Sequence, residues 1–176
     1  KTVTSYDGPH KVTMRRNARN MGATDHINLI MDMAKGALLV GCSADDIQMP
    51  HRVQTMVDIW CQNGKGDMLI HGPVVPMDLQ GKQSGTPYYP KIKKNNPDAA
   101  EIALTFETYI GASSAFSVSF IRAFPKIKYQ DAYEDLVWSF RASLKGSFVY
   151  NETPTIYYRM GDGITTTPRD PKTKYH

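Results

Sequence analysis

The residues able to do chemistry are dispersed along the chain. Five histidines, His10, His26, His51, His71 and His176, include no i, i+4 pair and no HExxH motif, so they lack the spacing of a metal site. Cys42 and Cys61 are the only thiols. Two make neither a disulfide framework nor a zinc cluster, and each reads as a small buried hydrophobe. Asp45–Asp46 and Glu134–Asp135 are adjacent acids. On a helix such neighbours diverge by about 100°, so both pairs read as solvated helix ends or faces rather than acid–base partners. The glycines of NGKGD at 63–67 do not match a phosphate loop, MGDGI at 160–164 lacks the further acids of a calcium loop, and no GxSxG elbow occurs. These failures predict a protein that is not an enzyme and has no cofactor and no metal.

Charge is the other chemical resource. Lys and Arg number 21 against 17 Asp and Glu in 176 residues, a small excess gathered in clusters. Residues 1–20 hold Lys1, Lys11, Arg15, Arg16 and Arg19 against Asp7 alone. Residues 82–94 hold Lys82, Lys91, Lys93 and Lys94 beside Tyr88 and Tyr89, and Arg122, Lys126 and Lys128 alternate with Phe124 and Tyr129. The tail adds Arg169, Lys172 and Lys174. Cations that track phosphates beside rings that stack on bases suit single-stranded nucleic acid. No apolar run approaches the roughly 18 residues of a membrane span, and Lys1 to His10 lack the apolar core of a signal peptide.

The elements that must carry these residues read as mostly helical. Thr24 and Asp25 start a helix whose apolar positions Ile27, Ile30, Met31, Ala34, Ala37 and Leu38 repeat at helical spacing towards Gly41. A second helix covers about 51–62, with Val53, Met56, Val57 and Trp60 on one stripe. Residues 63–96 are rich in Gly and Pro and predict a long loop, with Leu69, Ile70, Val74 and Val75 able to form a short strand. Asn96–Pro97 opens a helix over 97–110. Residues 113–124 suit a strand or a short helix ended by Pro125, and 130–145 is the clearest helix, stopped by Gly146. SFVY at 147–150 and TIYYRM at 155–160 flank a turn and predict a hairpin. The expected fold is therefore mainly α: a flexible basic N-terminal arm over 1–23, a single helical core over 24–146, and one C-terminal β-hairpin with an extended arm over 147–176.

The stretch DDIQMPHRVQTMVDIWCQNG at 45–64 resembles the coat proteins of flexuous filamentous, potyvirus-like plant viruses, which carry an acid-rich helix start and a helix ending in a VWC…NG-like segment. Tyr89–Pro90, the helix at 97–110, and Ser119, Arg122 and Phe124 ahead of the helix at 130–145 fall about where that family has comparable features. The resemblance implies a viral coat or nucleocapsid protein that assembles into a helical filament around single-stranded RNA. Arg122, Lys126, Lys128, Lys91, Lys93 and Arg141 would then neutralise phosphates, with Ser119 and Tyr89 beside the RNA. The terminal arms would dock on other copies of the chain, with no membrane partner, in a virion and in host cytoplasm during assembly. Two other classes stay open: a monomeric or small-oligomer RNA-binding module, and a small cytosolic enzyme with a dispersed site.

Overall fold

The computed structural model describes residues 7–129 and 132–161. The outermost parts of both expected arms, 1–6 and 162–176, lie outside the described residues, as do 130 and 131. Elements follow in the order α1 (Gly22–Met33), β1 (Leu38–Val40), β2 (Ile47–Gln48), α2 (Arg52–Gln62), β3 (Leu69–His71), β4 (Val75–Met77), α3 (Ala99–Thr105), β5 (Ala115–Ser117), α4 (Val118–Arg122), α5 (Glu134–Lys145), β6 (Phe148–Tyr150) and β7 (Ile156–Arg159). A 3-10 turn, Gly111–Ser113, precedes β5.

This is a mixed α/β fold, which corrects the expectation of a mainly α protein: helix accounts for 33% of the described residues, whose strands form two mixed sheets. The larger sheet has the order β1-β5-β3-β6, with β5 antiparallel to both neighbours and β3 parallel to β6. The smaller sheet has the order β2-β7-β4. The two strands expected to form a hairpin, β6 and β7, therefore enter different sheets.

Successive side chains of a strand face opposite ways, and the core divides accordingly. Leu69, Phe116 and Phe148 pack with Met31, Ile102, Phe120, Trp138 and Ala142, from α1, α3, α4 and α5. Their neighbours Ile70, Ala115 and Val149 pack instead with Met56, Ile59 and Trp60 of α2. The sheet is thus covered on both faces, and its strands are short apolar runs rather than alternating ones. Fully burying each large side chain in these layers contributes roughly 1.5–3 kcal/mol.

Local signals explain where the helices end. Asp98 caps α3, its carboxylate accepting from the N–H groups of Ala100 at 2.6 Å and Glu101 at 3.2 Å. Phe106 then leaves the helix in the left-handed region at φ 55°. Ser117 ends β5 and caps α4 by accepting from Phe120 N, so residues 113–124 are strand and helix in succession. The helical spacing that runs from Ile27 to Leu38 breaks at Ala34, which is extended, and Leu38–Val40 pairs with β5 instead. Cys42 and Cys61 are both exposed rather than buried.

Candidate active site

Strand direction concentrates four chain segments at one edge of the larger sheet. β1, β3 and β6 run the same way and β5 runs against them. Gly41 to Asp46 after β1, His71–Gly72 at the end of β3, Tyr150–Asn151 at the end of β6 and Gly111–Ser114 before β5 therefore meet at that edge. Open α/β sheets bind ligands outside the carboxyl ends of their strands.

Arg52, at the start of α2, ties these segments together. Its side chain is fully buried and donates to Gly41 O at 2.7 Å, Ala112 O at 3.0 Å, Ser114 O at 3.2 Å and Thr155 Oγ1 at 2.9 Å. Burial lowers its pKa from the ordinary value, while Cys42 and Asp46 act the other way. One guanidinium therefore joins the end of β1 to the turn before β5 and to the entry of β7.

That turn holds an acid. Asp135 lies in the first turn of α5 beside Glu134, and its carboxyl accepts from the Gly111 N–H and the Tyr109 hydroxyl. The approach to Gly111 is close: a Cβ there would stand 2.7 Å from Asp135 Oδ1. Burial, and then the negative charge of Glu134, push the Asp135 pKa up to about 7 against the effect of its two donors. Tyr109 is buried, and its hydroxyl is pushed well above its ordinary range by burial and by the charges of Asp135 and Glu134. A carboxyl that titrates near neutrality exchanges protons readily, which is what a general base or acid requires.

Asp45 and Asp46 follow β1 at the same edge. Asp46 Oδ1 accepts from Arg159 N at 2.9 Å, and Asp45 O accepts from Arg159 Nε at 2.8 Å. The Arg159 side chain reaches on to Asp78 O at 2.9 Å and Leu79 O at 2.6 Å, fixing the turn on the smaller sheet. Burial raises the Asp46 pKa, and its Oδ2 is buried with no partner. His71, also fully buried, has neither ring nitrogen paired and packs at 4.7 Å from Phe148 and 5.4 Å from Tyr150, ring centre to ring centre. Burial holds its pKa down at about 3, so it is neutral. Among the described residues no group of three His, Cys, Asp or Glu side chains is placed to hold a metal ion.

The residues expected to bind phosphates lie elsewhere and fall into two sets. Lys91 and Lys93 line a cavity of about 300 Å³ beside α3, and Lys93 Nζ sits 4.8 Å from the Tyr89 ring centre. Arg122 and Lys126 line a second cavity of about 330 Å³ between α1, α4 and α5. Arg141 stacks over two rings next to it, at 4.6 Å from Trp138 and 5.2 Å from Phe124. Ser119 bonds to Ser117 Oγ at 3.3 Å, and Lys128 is exposed. Neither of these two cavities brings the two sets together. Sequence reasoning passed over Asp135, Gly111, Tyr109 and Arg52. The angle between adjacent acids on a helix rules out a pair acting together, but it does not stop one of them from meeting another element.

The sequence profile of Glycosyl transferase family 2 matches residues 2–124 of this chain, well over half its length. The chain belongs to glycosyl transferase family 2. Asp45, Asp46 and Gly111 lie within the matched part of this family 2 chain, and Asp135 lies just beyond it. Among solved structures the chain is similar to S. aureus TarS 1-349 in complex with UDP-GlcNAc, with 11% identity and a TM-score of 0.55, over 81% of this chain and 40% of that one. At that identity the likeness concerns the fold alone, and the family 2 chain spans less than half of the TarS chain. No curated protein sequence matches it. Family membership overturns the coat-protein resemblance. With it go the RNA filament, the RNA-binding module, docking on other copies of the chain, and the virion and host-cytoplasm setting. It also overturns the expectation that the protein is not an enzyme. Among the described residues no helix is long and apolar enough to cross a membrane.

Proposed function

We propose that this chain transfers a sugar from a nucleoside diphosphate donor to an acceptor hydroxyl, with Asp135 as the base. The observation that carries this reading is the Asp135 carboxyl, held at the ligand-binding edge of the sheet by Gly111 and Tyr109 and titrating near neutrality. The acceptor oxygen bonds to the anomeric carbon as the bond from that carbon to the diphosphate oxygen breaks. The acceptor proton passes to Asp135, and the nucleoside diphosphate leaves with the bonding electrons.

Asp45 and Asp46 suit a different task. Hard divalent cations of the magnesium type are held by one or two carboxylates together with substrate phosphate oxygens, and the unpartnered Asp46 Oδ2 fits that donor set. Such a cation, when bound, neutralises charge on the leaving diphosphate.

UDP-GlcNAc, the ligand of the similar structure, is the donor to test first. Asp135→Asn should keep donor affinity, read by calorimetry, while UDP release falls about 10²–10⁴-fold. Glu134→Gln should retain most of the rate. An unimpaired Asp135→Asn enzyme, or a larger loss in Glu134→Gln, would overturn the assignment of the base.

A further inference from the structure

The second cavity is lined by none of the candidate active-site residues. β5 runs into α4 at the opposite edge of the sheet, and α5 ends there before entering β6. The cavity, about 330 Å³, is lined by Met31 and Asp32 of α1, by Arg122 of α4, by Phe124 and Lys126, and by Trp138 of α5, among others.

Two donors have no acceptor, one on Trp138, which lines this cavity, and one on Arg141, which stands behind its rings without lining it. Trp138 is 2% exposed and its indole Nε1 is unpaired, and the buried Nη1 of Arg141 is also unpaired. The Arg141 guanidinium lies over the rings of Trp138 and Phe124, both of which line the cavity. Buried polar groups are nearly always satisfied, so orphans call for an explanation. Here both orphans can only donate. The charges nearby have the same sense: Arg122, Lys126 and Arg141 against Asp32, whose carboxylate is ion-paired with Lys126. Arg122 makes only a long contact, 3.5 Å, to Ala34 O, which leaves its other donors available.

We propose that this cavity is a binding site for a small phosphate-class oxyanion carried on a planar or apolar body. The oxyanion accepts from the Trp138 indole and from Arg141, with Arg122 supplying further charge, and the body packs on Phe124 and Met31. Asp32 limits the site to a ligand with one anionic group, because a second would meet its carboxylate. Two of the cations singled out in the sequence for phosphate contacts, Arg122 and Lys126, line this cavity, and Arg141 lies over two of its rings. Nothing in this proposal depends on Asp135, so the two readings fail separately.

Nuclear magnetic resonance of the indole N–H groups tests it directly. The chain has two tryptophans; Trp60 Nε1 already donates to Gly66 O at 3.0 Å and serves as the internal control, assigned with Trp60→Phe. Titration with phenyl phosphate should shift the Trp138 resonance downfield and saturate, leaving Trp60 in place. Inorganic phosphate should produce the shift only at higher concentration, and neutral phenyl β-glucoside should produce none. Arg141→Gln should weaken phenyl phosphate by about tenfold or more and the exposed Arg122→Gln by several-fold, as expected for charge-assisted bonds. An unmoved Trp138 resonance, an equal response to the glucoside, or unchanged affinity in both variants would overturn the proposal. Equal affinity for inorganic and phenyl phosphate would overturn the apolar half of the site.

Discussion

Two pairs of neighbouring acids occupy the same edge of one sheet and meet different surroundings. In both, burial is the largest influence and raises the pKa of one aspartate. Around Asp46 the backbone N–H of Arg159, then the Ser43 hydroxyl and last the Arg159 charge oppose it, while Asp45 adds negative charge. Around Asp135 the opposing influences are two neutral donors, Tyr109 and Gly111, with Glu134 adding negative charge. A cation beside a carboxyl favours its ionised form. A carboxyl stabilised only by neutral dipoles beside a like charge moves towards neutrality and can take up and release a proton. Similar sequence pairs thus acquire separate roles from their environments, the pattern by which one fold runs two kinds of chemistry.

The strongest way to break this contrast is through Gly111. Gly111→Ala places a methyl group against the Asp135 carboxylate and should cost about 1–3 kcal/mol of stability. It should also lower transfer activity about 10–100-fold through misplacement of the base. Chemical denaturation in an Asp135→Ala background checks the cause: with the carboxylate gone, the same substitution should cost much less. Equal costs in the two backgrounds would show that the contact is not responsible.

Stability against pH sharpens the comparison further. The folded Asp135 pKa, about 7, stands above its ordinary value of 3.8. The stabilising difference is therefore fully present below pH ~4 and is lost as pH rises through 7. Asparagine does not ionise, so Asp135→Asn should match the wild type near pH 4 and melt a few °C higher at pH 8. Asp46→Asn should change in the same direction by less. Calorimetric scans at the two pH values distinguish these outcomes, and a lower melting temperature for Asp135→Asn at pH 8 would contradict a raised pKa.

The smallest effect belongs to Tyr109→Phe. Removing a donor to the ionised form raises the pKa of a carboxyl, so the rising limb of the pH–rate profile should move upward by roughly half to one unit. A downward shift would mean that the hydroxyl bonds the neutral acid instead.

Much of the helical framework was legible in the sequence. The stripe of Val53, Met56 and Trp60 and the stop at Gly146 mark helices that exist. Strands at 147–150 and 155–160 were legible, but the sheets they enter were not, because the strands are two to four residues long. Leu38–Val40 and Leu69–His71 are buried or half-buried throughout, so they show no alternation by which to recognise them. The site was hidden for a related reason. Gly111 and Asp135 are 24 positions apart and meet only after β5, β3 and β6 have paired, so no local spacing could announce them.

The Arg52 junction decides how acidity can be used to study this protein. Its acceptors are three backbone carbonyls and one threonine hydroxyl, none of which titrates between acid and mild alkali. A frame tied with ionisable partners would loosen over the same interval in which the catalytic carboxyl changes state, and the two events would blur in one curve. Here the hydrogen bonds of the Arg52 junction have no titrating acceptor, so they do not themselves loosen over the interval in which Asp135 changes state.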